Sequence, residues 1–186
     1  MLTIALAGNP NCGKTSLFNL LTKSRQHIGN WPGVTVEKKE GTLKFKGESY
    51  KVIDLPGTYS LGAYSEDEIV ARNYILKDKP DVVINVVDAT NLERNLYLTT
   101  QLIEMGANVV IALNMIDQAE ALNIEIDTNK LSKRLGVPII KTSALKNRGI
   151  EELIETSIYS KKNEKLININ YGEDIENEIK NLSSLL

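Results

Sequence analysis

The chain has 186 residues, 25% of them charged, a formal net charge of −2 and one cysteine. The near-balanced charge and dispersed basic clusters exclude electrostatic capture of nucleic acid or anionic lipid, and the length suits one α/β domain with a short appendage. A lone cysteine excludes an intramolecular disulfide, and no apolar run approaches the roughly 18 residues of a membrane span, so the polypeptide reads as soluble and intracellular.

The first predicted element is a strand over Leu2-Thr3-Ile4-Ala5-Leu6-Ala7, which breaks into Gly8-Asn9-Pro10-Asn11-Cys12-Gly13-Lys14-Thr15 and then into Ser16-Leu17-Phe18-Asn19-Leu20-Leu21, the helix opening at Gly13 or Lys14 and ending near Lys23. The loop fits G-x-x-x-x-G-K-[ST]. Its glycines let backbone N–H groups turn inward around phosphate oxygens, and the helix aims its positive end at the same place. Lys14 supplies a point charge near the β and γ groups, and the Thr15 hydroxyl suits Mg²⁺. Cys12 reads as a small loop filler rather than a nucleophile, because no histidine lies near it in sequence.

Ser24 to Gly33 is polar and broken by Gly and Pro, which predicts a mobile loop. Thr35 to Phe45 and Ser49 to Asp54 form a predicted hairpin around Lys46-Gly47-Glu48. After the Gly/Pro loop Leu55 to Gly62, Ser65 with Glu68 caps a helix to about Lys77, with Ile69, Val70, Tyr74 and Ile75 inward. Val82 to Val87 and Val109 to Leu113 are continuous apolar runs, as buried parallel strands should be, and Asn91 to Met105 between them is a helix stopped by Gly106. The last unit is a helix over Thr128 to Leu135, a strand over Val137 to Lys141, and a helix from about Ile150 to Ser160.

This order predicts an α/β fold with a mostly parallel six-stranded sheet, one antiparallel edge strand and helices on both faces. From Lys161 to Leu186 the character changes to a charged linker and a helix without a partner, with Ile175, Ile179 and Leu182 or Leu186 on one face. The division is 1–160 for the nucleotide domain and 161–186 for the linker and appendage.

Ligands of such sheets sit at the carboxyl ends of the strands, and four further loops lie there. Thr35, after Gly33, can complete the Mg²⁺ shell and sense the γ-phosphate. Asp54 ends a buried strand and suits a Mg²⁺-bound water, with Gly57 free to turn its N–H onto the γ-phosphate. In Asn114-Met115-Ile116-Asp117, an acceptor-only carboxylate takes two N–H bonds from guanine, a donor pair that adenine lacks. Ser143-Ala144-Leu145 can present a backbone N–H to the guanine carbonyl. Together these turn a phosphate site into a GTP/GDP site, with Lys14, Thr35 and Gly57 as the catalytic candidates.

This set resembles the G domains of the P-loop NTPases of the translation-factor class. Asn30-Trp31-Pro32-Gly33-Val34-Thr35-Val36-Glu37, Asp54-Leu55-Pro56-Gly57-Thr58-Tyr59-Ser60-Leu61 and Asp88-Ala89-Thr90-Asn91-Leu92-Glu93-Arg94-Asn95-Leu96 narrow it. With Gly8-Asn9-Pro10-Asn11 they resemble the cytosolic G domain of the ferrous iron transport protein B family of prokaryotic transporters. The resemblance implies a Mg²⁺-dependent GTPase that serves as the cytoplasmic domain of an inner-membrane protein. It further implies a membrane permease portion downstream in the same polypeptide, and a helical domain restraining nucleotide release, of which Tyr171 to Leu186 is the first helix. No nucleic acid is implied; small cytosolic accessory proteins and a second copy of the chain stay open as partners.

Two departures from the general small-GTPase pattern stand out. Thr58 follows Gly57 where a water-orienting Gln is usual, and Met115 takes the place of a Lys whose stem covers the base. Turnover without that Gln should be slow, on the order of 10⁻³ s⁻¹. The resemblance implies K⁺ at Asn11, with the carbonyls of Gly29 and Trp31 as further ligands. The side chains of His27 and Trp31 read as exposed and as packing groups. Two rivals remain: a binding switch in which hydrolysis only resets the state, and a tRNA-modification or ribosome-assembly GTPase.

Overall fold

The computed structural model describes residues 1–23, 26–160 and 171–185. Four buried parallel strands form its centre: β1 (Thr3–Gly8), β5 (Val82–Asp88), β6 (Val109–Asn114) and, beside β1, β4 (Glu48–Asp54). Continuous apolar sequence permits this in β1, β5 and β6, whose two faces are covered, whereas β4 (ESYKVID) is exposed at its first two residues and buried toward Asp54. β3 (Glu37–Phe45) pairs antiparallel with β4 through the Lys46-Gly47 turn, and the short β7 (Ile139–Lys141) closes the far side parallel to β6.

The sheet has seven strands, in the order β2-β3-β4-β1-β5-β6-β7, where six were expected. The additional strand, β2 (Gln26–Asn30), lies in the segment read as a loop and pairs antiparallel with Glu37–Gly41 of β3. The edge is therefore β2, and the strand antiparallel to its neighbours is one place inside it. All four β2 side chains are exposed, so the strand is held by backbone pairing and leaves no alternation to read. Residues 24 and 25 of that expected loop, and the linker expected over 161–170, lie outside the described residues.

Alternate residues of the central strands serve opposite faces. On one face Ile4, Leu6, Ile84, Val110 and Ala112 meet Leu17, Phe18 and Leu21 of α1 (Lys14–Thr22) and Ile150, Leu153 and Ile154 of α6 (Ile150–Tyr159). On the other, Ala5, Ala7, Val83, Val87 and Ile111 meet α2 (Glu66–Asn73) and α3 (Leu92–Glu104), whose Leu98 and Leu102 are fully buried. The Ser65 hydroxyl caps α2 by accepting from Glu68 N, as its sequence suggests, but the helix continues as a π-helical turn over Tyr74–Asp78.

α4 (Ile116–Ala121) was not anticipated; α5 (Thr128–Leu135) ends on left-handed Gly136 as expected. α7 (Glu173–Ser183) buries none of its residues, and Ile175, Ile179 and Leu182 are exposed. Tyr171, just before it, donates its hydroxyl to the Glu104 carboxylate.

Leu102→Ala removes a fully buried side chain from the α3 face. It should cost about 2–5 kcal/mol in urea unfolding, whereas Leu145→Ala, 86% exposed, should stay within about 0.5 kcal/mol.

Candidate functional site

The turn from β1 to α1 is set by left-handed backbone at Asn11 (φ 66°) and Gly13 (φ 86°). A Cβ on Gly13 would lie 2.3 Å from Asn114 Nδ2, so a side chain there fails on contact as well as conformation. Gly8 is equally constrained, since its Cβ would meet the Val86 carbonyl at 2.7 Å. Asn9 is buried, Pro10 lies against Gly57, and Thr15 and Ser16 are exposed on the first turn of α1.

Asn114 holds three loops in register. Its Nδ2 donates to the Cys12 carbonyl (2.9 Å), while its Oδ1 accepts from Ala144 N (3.0 Å) and Thr142 Oγ1 (3.4 Å). Its carboxamide is thus used structurally, tying the phosphate-type loop to the Ser143-Ala144-Leu145 loop. Ser143 N bonds the Arg148 carbonyl and the Ala144 N–H is on Asn114, so Leu145 N is the one backbone donor of the three without an acceptor among the described residues. Met115, left-handed at the start of α4, brings its methyl group toward Gly13. Asp117 lies on the first turn of α4; the Ser143 hydroxyl, with Lys146 Nζ at 3.4 Å, holds its carboxyl below the usual carboxylate range.

The loop after β4 is hung from β1: Leu55 N donates to the Leu6 carbonyl (3.0 Å) and Thr58 N to the Gly8 carbonyl (3.2 Å). Lys14 Nζ bonds Asp54 and the Leu55 carbonyl, so the half-buried ammonium and the buried carboxylate satisfy each other. Lys14, Thr15, Asp54 and Gly57 line one cavity of about 240 Å³ together with Val36 and Glu37. Thr35 is outside that lining; its hydroxyl is 3.4 Å from Glu66 Oε2 at the start of α2, and Gly33 is exposed with φ 78°.

The expected K⁺ ligands lie on two separate segments. Asn11 is exposed and lines a different cavity, of about 140 Å³, with Asn9, Pro10, Tyr59, Asp88, Asn91, Arg94 and Asn95. Gly29 is paired in β2 against Lys38, and the Trp31 carbonyl accepts from Val34 N (3.3 Å). The Trp31 indole is packed edge-on to Tyr74 at 5.2 Å, the packing role its sequence suggests, and His27 is exposed on β2. The side chains that sequence reasoning missed are those with long-range partners: Arg94 over the Tyr59 ring at 4.1 Å, and Lys146 beside Asp117. No spacing pattern relates those pairs.

Cys12 is buried, and desolvation pushes its thiol up to about 11. At pH 8 the thiolate is then about a hundredfold scarcer than for a free thiol, so iodoacetamide should label native chain at least that much more slowly than unfolded chain. The sign for stability follows from the same shift. The unfolded chain loses this proton near pH 9 and the folded chain near 11, so stability should fall across that window, by about 2 kcal/mol in urea titrations, and Cys12→Ala should flatten the fall.

A family model for ferrous iron transport protein B matches residues 2–157. The Fe(2+) transporter FeoB of Escherichia coli K12 is 50% identical over all of this chain, which spans 24% of that protein. A Porphyromonas gingivalis Fe(2+) transport protein A/Fe(2+) transporter FeoB fusion protein is 48% identical over 98% of this chain and 22% of its own length. The chain thus spans about a quarter of the curated relatives it matches, and in them the matched stretch is part of a longer polypeptide. Among solved structures, the cytosolic domain of the T. maritima FeoB iron transporter in its GMPPNP form superposes with a TM-score of 0.95 at 49% identity, covering 99% of this chain and 73% of that one. Its GDP form II gives 0.93 at 49%, covering 99% and 74%. The seven-stranded fold, the glycine-shaped turn after β1 and the full-length identity agree: the chain belongs to the ferrous iron transport protein B family.

Proposed function

We propose that this chain is the GTP-binding, slowly GTP-hydrolysing regulatory domain of a ferrous iron membrane transporter, acting from the cytoplasmic side on a permease portion of the same polypeptide. The observation that carries the guanine reading is the position of Asp117, a carboxylate held ionised beside a loop that Asn114 ties to the Gly8–Thr15 turn. The bound GMPPNP and GDP of the T. maritima domain support a nucleotide in this place. The guanine carbonyl would share the Ala144 N–H with Asn114 or take the Leu145 N–H, with Met115 covering one side of the ring. The fusion relative supports a small transport protein A as an accessory partner.

The residues present fit Mg²⁺. The Thr15 hydroxyl and the Asp54 carboxylate line the same cavity, with Glu37 and Asp67 also on its walls but not gathered with Asp54 into a protein-only metal cluster, which suits an ion that keeps waters and phosphate oxygens. Among the described residues no three His, Cys, Asp or Glu side chains gather to hold a metal by themselves. When bound, the ion neutralises charge on the phosphates. For these roles Lys14 would part from Asp54, the ammonium serving the phosphate oxygens and the carboxylate helping to hold the ion. Thr35 likewise leaves Glu66. Segments 26–36 and 56–65 are the parts that rearrange, and with Thr58 in place of Gln, backbone around Gly57 and Thr35 orients the attacking water.

Asn11 is the side chain that supports K⁺, and Gly29 and Trp31 join it only if segment 26–36 leaves its present pairing. GTP hydrolysis by the purified chain at saturating nucleotide should be about tenfold faster in KCl than in NaCl at equal ionic strength, and Asn11→Ala should erase the difference. Equal rates in both salts remove K⁺ from the reading.

Base choice tests the guanine assignment. Asp117→Asn should weaken GTP binding and gain xanthosine triphosphate, whose carbonyl wants a donor where guanine wants an acceptor. A mutant that keeps full guanine preference in equilibrium titration shows that Asp117 does not read the base.

A further inference from the structure

The Asp88–Leu96 motif is absorbed by none of the roles above, yet it forms one wall of the 140 Å³ cavity beside the phosphate-type loop. Its local bonding explains the sequence. Asp88 accepts from Thr90 N (2.8 Å), Thr90 Oγ1 (2.7 Å) and Asn91 Nδ2 (2.9 Å), and Asn95, itself buried, accepts from Asp88 N and donates to the Asn91 carbonyl. The start of α3 is thereby fixed, and the residue it presents to the loop after β4 is Arg94.

The Arg94 guanidinium lies 4.1 Å from the centre of the Tyr59 ring, and among the described residues it has no ion-pair partner. Its backbone carbonyl accepts from Asn9 Nδ2 (3.5 Å), so the same residue touches the phosphate-type loop. The adjoining backbone is gripped on both sides: Thr58 N by the Gly8 carbonyl, and Leu61 N by Gln101 Oε1 of α3 (2.8 Å). Asn9 is 3% exposed and lines the same cavity, and among the described residues its Oδ1 has no hydrogen-bond partner.

We infer that Arg94 is a positioning residue for hydrolysis, acting through Tyr59 to hold the Gly57–Tyr59 backbone against Gly8 so that main-chain groups can orient water where the usual Gln side chain is absent. The inference rests on the GTPase reading. A cation on a ring face restrains the loop without entering the phosphate site, and it does so from α3, an element that the sheet holds rigid.

The test uses the purified chain with saturating GTP, Mg²⁺ and KCl. Arg94→Ala should lower kcat about tenfold while KM for GTP and affinity for GDP stay within twofold. Tyr59→Ala should match it, the double variant should be no slower than the slower single variant, and Arg94→Lys should recover at least part of the loss. Tyr97→Ala, an exposed α3 neighbour, is the control and should leave kcat unchanged. Independently of activity, Arg94→Ala should raise amide hydrogen exchange over residues 58–61 and leave β1 unaffected.

A kcat for Arg94→Ala within twofold of wild type, or unchanged exchange over 58–61, overturns the inference. Additive losses in the double variant also overturn it, because Arg94 would then act on the phosphates itself. A parallel collapse of GDP affinity overturns it in favour of general loosening. A wild-type chain that binds GTP but never turns it over defeats the hydrolysis reading and this inference together, whereas a failure confined to the variants defeats the inference alone.

Discussion

One carboxamide decides whether the carboxyl edge of this sheet is a site or a set of unrelated loops. Asn114 is buried at the end of β6, donates to the Cys12 carbonyl and accepts from Ala144 N, so a loop 102 residues earlier and one 30 residues later are fixed to the same atom group. Each bond is modest in net terms, about 1 kcal/mol, but buried donors and acceptors left without partners cost more than the bonds contribute. The constraint therefore works as exclusion: arrangements in which either loop drifts strand polar groups away from water. Gly13 belongs to the same constraint, since only a residue without Cβ lets the turn come so close to Asn114.

The rest of the site is tethered unequally outward from that point. The turn after β1 and the 143–145 loop are locked by backbone and amide bonds. The loop after β4 is held at intervals, by Gly8, by Gln101 and by Glu68, which accepts from the Ser60 hydroxyl (2.6 Å) and Tyr64 N (3.1 Å). The segment through Thr35 is held by the packing of Trp31, Val34 and Val36 on the core and the short turn between Trp31 and Val36, while Thr35 itself makes one exposed 3.4 Å contact to Glu66. Under the proposed function, this difference in tethering would leave the segment through Thr35 freer to rearrange than the 143–145 loop.

How legible was this in the amino acids? Val82–Val87 and Val109–Leu113 announce themselves as buried parallel strands because nothing but full burial tolerates such runs. The turn after β1 announces itself because glycine, lysine and threonine are each demanded by a different physical need. β2 was silent: its stability comes from main-chain pairing, and the side chains of Gln26, His27 and Asn30 are those of any exposed loop. α4 was hidden inside a motif read for its chemistry. Asn114 was visible as a site residue, but that its amide ties loops together depends on contacts across the sheet that no local pattern encodes. Arg94 and Tyr59 are 35 positions apart, on elements whose proximity only the crossover of the chain creates.

The chain has a single tryptophan, and its surroundings give it an energetic meaning of its own. Trp31 is 9% exposed, edge-on to Tyr74, with the Lys38 ammonium 5.1 Å from its ring, yet among the described residues its indole N–H has no acceptor. Burying that donor unpaired costs about 1–3 kcal/mol, set against the apolar burial that holds the ring in place. The segment leading to Thr35 is thus pinned by a ring whose own polar atom favours leaving. Because this indole is the sole one in the chain, its emission reports departure of that segment from Tyr74 without any label, and nucleotide could be followed in real time by intrinsic fluorescence.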